Sequence, residues 1–144
     1  MGKTLIDKIH RIVEDLGIRY LEHKDDSELT FGGKHYYIRP DCTYILPNKI
    51  VVFEIEKNIR PVESISKYWW LFKKTDWVSN NIKLICCIFL IERALDSPIR
   101  VEAVSILGEE LEKLYPILFK FKCLTEKWIK ECNLKELIRT LFAN

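Results

Sequence analysis

The chain has 144 residues, 48% of them apolar and 31% charged, with a formal net charge of +2. That is one domain by size, residues 1–144, long enough to bury a core, and too nearly neutral to be a polycationic tail, so any nucleic-acid contact must come from local patches. Five cysteines, an odd number with no CxxC, argue against a disulfide framework or a zinc site and for a reducing, cytoplasmic setting.

The N-terminus does not resemble a signal peptide. Its Gly2-Lys3-Thr4 lacks the upstream glycine loop of a phosphate-binding P-loop. Leu5, Ile6, Ile9, Ile12, Val13 and Leu16 recur at helical spacing and predict a helix over Thr4 to Leu16, stopped by Gly17. Asp7 and Glu14 fall off the apolar stripe, and His10 borders it as a packing residue. Ile18 to Glu22 reads as a first strand. The polar run His23 to Glu28 reads as a solvated turn, although Asp25, Asp26 and Glu28 are possible metal ligands. Leu29 to Phe31 reads as an edge strand and Gly32-Gly33 as a turn. Lys34 to Leu46 follows as a second strand, interrupted near Pro40.

Leu46-Pro47-Asn48-Lys49 is a turn, because proline presets the bend and asparagine tolerates unusual backbone angles. With Pro47 and Asn48 as the loop, Leu46 pairs with Lys49, and counting outward sets Asp41 opposite Glu54. The strand continues Ile50-Val51-Val52-Phe53-Glu54-Ile55-Glu56, and its period of two puts Glu54 and Glu56 on one face. Three carboxylates therefore converge. They repel one another unless a cation neutralises them, and hard oxygen ligands suit Mg²⁺ or Mn²⁺. The competing reading is a strand that ends in solvent.

Pro61 opens a second helix that runs to about Lys74 on Val62, Ile65, Tyr68, Trp69 and Phe72. Lys67 is on this helix, either exposed or turned toward the carboxylates to hold water or phosphate charge. Trp69, Trp70 and Trp77 read as core rather than as base-stacking platforms. Ile82 to Ile91 is a buried strand by its unbroken apolar character; its Leu84 to Ile91 run is too short to span a membrane. Arg100 to Ile106 reads as a further strand. A helix from about Glu109 would pack on Leu111, Leu114, Ile117 and Leu118, and Lys120 to Ala143 adds one or two amphipathic helices.

Pro40-Asp41, a hairpin, then Glu54-Ile55-Glu56 resembles the PD-(D/E)XK nuclease superfamily in its E-x-E variant. The resemblance covers about residues 1–95 as an order of elements and 39–68 as motif. It implies a restriction-endonuclease-like α/β fold: a mixed central sheet flanked by helices, in the order α-β-β-β-α-β, with a C-terminal strand and helical extension over about 99–144. It further implies divalent-metal-dependent phosphodiester cleavage. Asp41, Glu54 and the Ile55 carbonyl would bind Mg²⁺ or Mn²⁺, and Glu56 would complete the site or act on the water. Glu56 stands where lysine is usual, so Lys57 or Lys67 would supply the positive charge. Arg39, Arg60 and Lys73 are candidate phosphate contacts. Many members carry an acid on the first helix, for which Glu14 is a weak candidate. Ser64 and Tyr68 have the spacing of a glutamine and a tyrosine in the recombination-exonuclease branch, with serine replacing the glutamine. The partner would be nucleic acid, DNA in first place, with a homodimer for duplex cutting and no membrane.

Two alternatives stay open: a nuclease fold that has lost its chemistry and serves as a DNA-binding or assembly module, and a partner-binding α/β protein whose acids are a surface feature. A Ser or Cys hydrolase lacks its strand-turn-helix motif.

Overall fold

The computed structural model describes residues 2–131 and 133–143; Cys132 lies outside them. Helix α1 (Gly2–Asp15) buries Leu5, Ile9 and Val13 on one stripe. Gly17 ends it at φ +64°, where the N–H of Ile18 reaches the Val13 carbonyl and that of Gly17 the Glu14 carbonyl. This pair of hydrogen bonds is the usual way a left-handed residue satisfies the last carbonyls of a helix.

Strand β1 is Glu22–Asp25, not Ile18–Glu22. The apolar Tyr20 and Leu21 stay exposed. The strand forms where His23 and Asp25 can turn inward to partners on α1, so an edge strand with a polar inward face takes the place of the apolar one. Strands β2 (Thr30–Phe31) and β3 (Lys34–His35) make a separate hairpin. Gly32 and Gly33, at φ +61° and +77°, form its tight turn. The expected strand over Lys34 to Leu46 is thus two strands: the chain leaves β3, passes Tyr37 at φ +61° and buried Pro40, and resumes as β4 (Cys42–Ile45).

β4 pairs antiparallel with β5 (Lys49–Glu56), with Ile45 opposite Ile50 and Cys42 opposite Phe53. The Leu46 N–H donates to the Lys49 carbonyl at 2.9 Å, so Pro47 and Asn48 are the whole loop. Helix α2 (Val62–Lys74) then leads to β6 (Lys83–Leu90), parallel to β5. Helix α3 (Pro98–Leu114) replaces the expected strand over Arg100 to Ile106. Ser97 caps it, Pro98 starts it, and the periodic set Val104, Gly108 and Leu111 is buried, which outweighs the local β-propensity. Gly108 lies inside this helix and does not precede one.

Phe119–Thr125 is strand β7, parallel to β6, where helix was expected. Phe119, Phe121 and Cys123 join one core layer and Leu124 the other, an alternation of period two. Helices α4 (Glu126–Glu131) and α5 (Leu134–Ala143) complete the chain. Leu114 and Ile117 are exposed rather than packed; Leu111 is buried and Leu118 partly so.

The result is a mixed α/β architecture around a five-stranded sheet in the order β1-β4-β5-β6-β7. The segment after residue 99 is no appendage, because it supplies the last strand of this sheet. Buried side chains of α2 and α3 pack on one face with Ile50, Val52, Cys86 and Ile88. Those of α1 and α5 cover the other with Val51, Phe53, Cys87 and Phe89. The ammonium of Lys49 is buried and donates to the Phe142 carbonyl at 2.9 Å, tying the end of α5 to the start of β5. Among the described residues no helix is long and apolar enough to cross a membrane.

Candidate active site

Glu54 is the most informative side chain in the molecule, a carboxylate only 2% exposed near the end of a central strand. Helix α2 covers it. Ser64, Lys67 and Tyr68 stand three and four positions apart and so share one side of that helix. One oxygen of Glu54 accepts from the Lys67 ammonium at 2.8 Å and the other from the Tyr68 hydroxyl. Burial pushes the Glu54 pKa up to about 7, against the Lys67 charge and these two hydrogen bonds. Burial and then the Glu54 charge hold the Tyr68 phenol well above its ordinary value, so it stays a donor.

Glu56, two residues on, points to the same side and is half-buried. Its Oε2 accepts from Ser64 Oγ at 2.6 Å and its Oε1 from the Asn58 N–H at 2.8 Å. The carboxylate is held in one orientation at the mouth of the site.

Asp41 immediately precedes β4, and the β4–β5 register carried one step further sets it opposite Glu54. Its Oδ2 accepts the Ile55 N–H at 2.6 Å, taking the place of a ladder partner just where Pro40 and the strand end interrupt pairing. Burial raises the Asp41 pKa, with the Ile55 N–H and Lys67 opposing and Glu56 and Asp26 adding to it. The N–H and carbonyl of one strand residue leave the strand on the same side. The Ile55 carbonyl therefore faces the Asp41 side, while the Glu56 carbonyl accepts from the N–H of Ile91, just past the end of β6.

Asp41, Glu54, Glu56, Lys57, Ser64 and Lys67 line a cleft of about 360 Å³. A second cleft of about 420 Å³ adjoins it, sharing Asp41, Ile55 and Lys57 and adding Lys3, Asp7, Asp25 and Asp26. Of Asp7 and Glu14 on α1, both exposed, Asp7 lines the cleft that Asp41 also lines, whereas Glu14 lines neither. Asp7 is one turn from Lys3 and His10, on a polar stripe beside the apolar one. A reading that follows apolar residues alone passes over that stripe.

The candidate phosphate contacts divide. Arg39 lines neither cleft: its guanidinium donates to the Asp26 carbonyl at 2.7 Å, and only its backbone carbonyl reaches the site, accepting from Lys67 at 3.3 Å. Arg60 is exposed and lines neither cleft. Lys73 sits over the Tyr115 ring, 5.3 Å from its centroid, and is not brought to the site. Trp77 is buried against Phe31 and Tyr36 and offers no free face for a base; Trp69 is partly buried against the core, its indole N–H donating to the Leu107 carbonyl. Trp70 is 41% exposed.

Sequence reasoning missed a second polar cluster, on the opposite face of the sheet. His10 from α1, His23 and Asp25 from β1, and Cys42 and Tyr44 from β4 meet there. The alternation of His23 and Asp25 was the available signal, hidden by the polar character of their neighbours.

Comparison with known proteins finds no matching family model, no matching curated protein and no matching solved structure.

Chemically, the first site gathers the carboxylates of Glu54 and Glu56, a third from across the hairpin, the backbone of Ile55 and the side chains of Lys57 and Lys67. Oxygen donors alone, with space beside them, form the donor set of a hard divalent cation rather than of a soft one. Lys57 and Lys67 both line the cleft with the three acids, and burial biases Glu54 and Asp41 toward their neutral forms, so a bound cation would take the place of those protons.

Proposed function

We propose that this protein is a divalent-metal-dependent nuclease acting on phosphodiester bonds, DNA in first place, with a restriction-endonuclease-like core. The single observation that carries the reading is the convergence of Asp41, Glu54 and Glu56 in one cleft, with Lys67 2.8 Å from Glu54. A helix, antiparallel strands β1, β4 and β5, a helix and a parallel strand β6 is the order expected of such a core, with the β2–β3 hairpin inserted.

In this reading Asp41, Glu54 and the Ile55 carbonyl would hold Mg²⁺ or Mn²⁺, which would supply Lewis-acid chemistry there: easier ionisation of water and charge to offset that of the scissile phosphate. Lys67, released from Glu54, turns to the attacking water or to a phosphate oxygen and stabilises the charge that develops there. Glu56, fixed by Ser64 and the Asn58 N–H, accepts the proton of that water. Lys57, which lines both clefts, would neutralise a flanking phosphate, and Arg39, beside Asp26, is a further candidate contact. Cleavage of both duplex strands calls for two such sites, hence a homodimer. The thiols of Cys42, Cys86, Cys87 and Cys123 are free, which supports a reducing cytoplasmic setting.

One observation favours a second reading, a nuclease-like binding module without chemistry. Both oxygens of Glu54 are already engaged, by Lys67 and Tyr68, so the ion pair is a stable resting arrangement in itself.

The test is cleavage of labelled DNA and RNA substrates with Mg²⁺ or Mn²⁺ and with chelator, alongside Asp41→Ala and Glu54→Ala. Metal-dependent cutting lost in both variants supports the nuclease and its site together. Affinity for nucleic acid with no cutting across the panel supports the binding module. Cutting that survives both substitutions sinks the assignment of the site.

A further inference from the structure

We infer that His10, His23, Asp25 and Cys42 form a second metal site, for a Zn²⁺-class transition-metal ion, on the face of the sheet opposite Glu54. The inference does not rest on the nuclease reading, and its donor set is of another chemical kind.

Three elements contribute. His10 comes from α1, His23 and Asp25 from alternate positions of β1, and Cys42 from the β4 residue paired with Asp25. The Nε2 atoms of His10 and His23 are 3.1 Å apart. Asp25 Oδ2 is 2.9 Å from the first and Oδ1 3.1 Å from the second. The Cys42 sulfur joins them, with all four donor atoms within 4.8 Å of one another. Nitrogen and oxygen ligands at about 2.0–2.1 Å from a tetrahedral ion are about 3.3 Å apart. The two imidazoles and the carboxylate thus need to spread by only a few tenths of an ångström to hold one, with the sulfur closing in from within the core.

Imidazole nitrogen, carboxylate oxygen and thiolate sulfur together select Zn²⁺ or its Co²⁺ surrogate over Mg²⁺ or Ca²⁺. The surrounding residues are those a metal site requires. The second ring nitrogen of His10, Nδ1, is hydrogen-bonded to the hydroxyl of Tyr44, a residue 1% exposed. Its Nε2 donates to the Asp25 carboxylate; on binding an ion that proton would leave, and an Nδ1–H donated to the Tyr44 oxygen would direct the Nε2 lone pair into the cluster. The His23 ring stacks on the Tyr44 ring at 4.8 Å between centroids and 17° between planes, which fixes its direction. His10, His23 and Asp25 remain partly open to solvent, so an ion has a path in. Cys42 would bind as a thiolate, its proton passing to solvent.

The absence of a CxxC pointed away from zinc, but that pattern covers ligands close in sequence. These four residues span positions 10 to 42 and meet only through the β1–β4 pairing. An ion held by them would fasten α1 to the sheet edge and fix β4, whose preceding residue is Asp41. The unfolded chain presents no such site, so binding adds directly to folding stability.

The experiment uses the whole chain, stripped with chelator, titrated with Co²⁺ and Zn²⁺ and followed by absorbance, metal content and melting temperature. The expected result is one ion per chain that carries the visible bands of tetrahedral Co²⁺ and a near-ultraviolet thiolate-to-cobalt band, with any Co²⁺ taken up by the carboxylate cleft octahedral and lost in Glu54→Ala, and a melting temperature raised by Zn²⁺. Cys42→Ser abolishes the thiolate band. His10→Ala and His23→Ala lose affinity by more than tenfold, and Tyr44→Phe, which touches no ion, weakens it about tenfold. Asp41→Ala and Glu54→Ala leave the tetrahedral and thiolate bands unchanged, which separates this site from the nuclease one. A folded wild-type chain with no uptake of either ion, an octahedral spectrum without the thiolate band, or binding unchanged in folded His10→Ala and His23→Ala overturns the inference. The wild-type spectrum decides the matter even if a variant fails to fold.

Discussion

The ammonium of Lys67 lies 2.8 Å from a carboxylate oxygen of Glu54, joining the second turn of α2 to the end of the central strand β5. The pair is asymmetric: Glu54 is almost fully covered, while about a quarter of the Lys67 side chain remains open to the cleft. Lys67 opposes the rise that burial imposes on the Glu54 pKa; in the nuclease reading it would exchange the acid for a substrate phosphate.

Replacing Lys67 by Met should lower cleavage by about 10²–10³-fold, the usual loss for one oriented donor at a developing charge. Lys67→Arg should recover only part of it, because a planar guanidinium does not fit the place of a compact ammonium. Single-turnover cleavage at saturating metal measures this. Equal rates for wild type and Lys67→Met would remove Lys67 from the chemistry.

The raised Glu54 pKa has a direct consequence for stability. The group ionises near 4.3 in the unfolded chain and at about 7 in the folded one. Between those values the folded state binds the extra proton, so stability falls as pH rises from about 4.5 to 7, by about 2–3 kcal/mol. The raised Asp41 acts in the same direction. In Asp25 burial raises the pKa but the bonds to His10 and His23 prevail and lower it, so its contribution is present above about pH 4 and is lost as pH falls below that. Urea unfolding at a series of pH values should show the decline between pH 4.5 and 7, and Glu54→Gln should flatten most of it. An unchanged slope in that variant would contradict the assignment.

Asp7 lines the cleft that shares Asp41, and Glu14 does not. Asp7→Asn should therefore reduce metal-dependent cleavage by about tenfold or more at low Mg²⁺, with partial recovery at high Mg²⁺, while Glu14→Gln leaves the rate unchanged. A Mg²⁺ titration of the initial rate separates the two.

Gly108 lies inside α3, against β7. A Cβ built there would fall 2.2 Å from the Phe121 ring. Alanine favours a helix over glycine by about 1 kcal/mol, yet the overlap should outweigh it and leave Gly108→Ala net destabilised by about 1–3 kcal/mol. Adding Phe121→Leu should restore part of the loss, since the smaller side chain opens the contact. Chemical denaturation of both proteins measures the coupling. A stabilised single variant would mean that Phe121 moves aside freely.

How much of this could be read from the chain depends on how far apart the interacting residues lie. Helices α1 and α2 and strand β6 follow from their own periodicity, because each buries a stripe or a whole strand whose pattern needs no partner to be visible. The hairpin was legible for a related reason. Pro47 and Asn48 set a two-residue loop, a loop sets a register, and the register with period two brings Asp41, Glu54 and Glu56 together. Local chemistry was enough to assemble the acids of the candidate site.

What only the tertiary structure decided are the cases where a distant partner chose between two locally acceptable conformations. Ile99 to Ile106 is rich in β-branched residues, but Ser97, Pro98 and the packing of Val104, Gly108 and Leu111 made it helix. Phe119 to Thr125 became a strand because β6 offered an open edge. β1 moved four residues toward the C-terminus because His23 and Asp25 found His10 on a helix formed earlier in the chain. The choice of Lys67 over Lys57 as the partner of Glu54, and of Asp7 over Glu14 beside Asp41, likewise came from how two helices lie against the sheet. Short-range turn geometry and side-chain period determine which residues share a face, whereas long-range packing determines what that face meets.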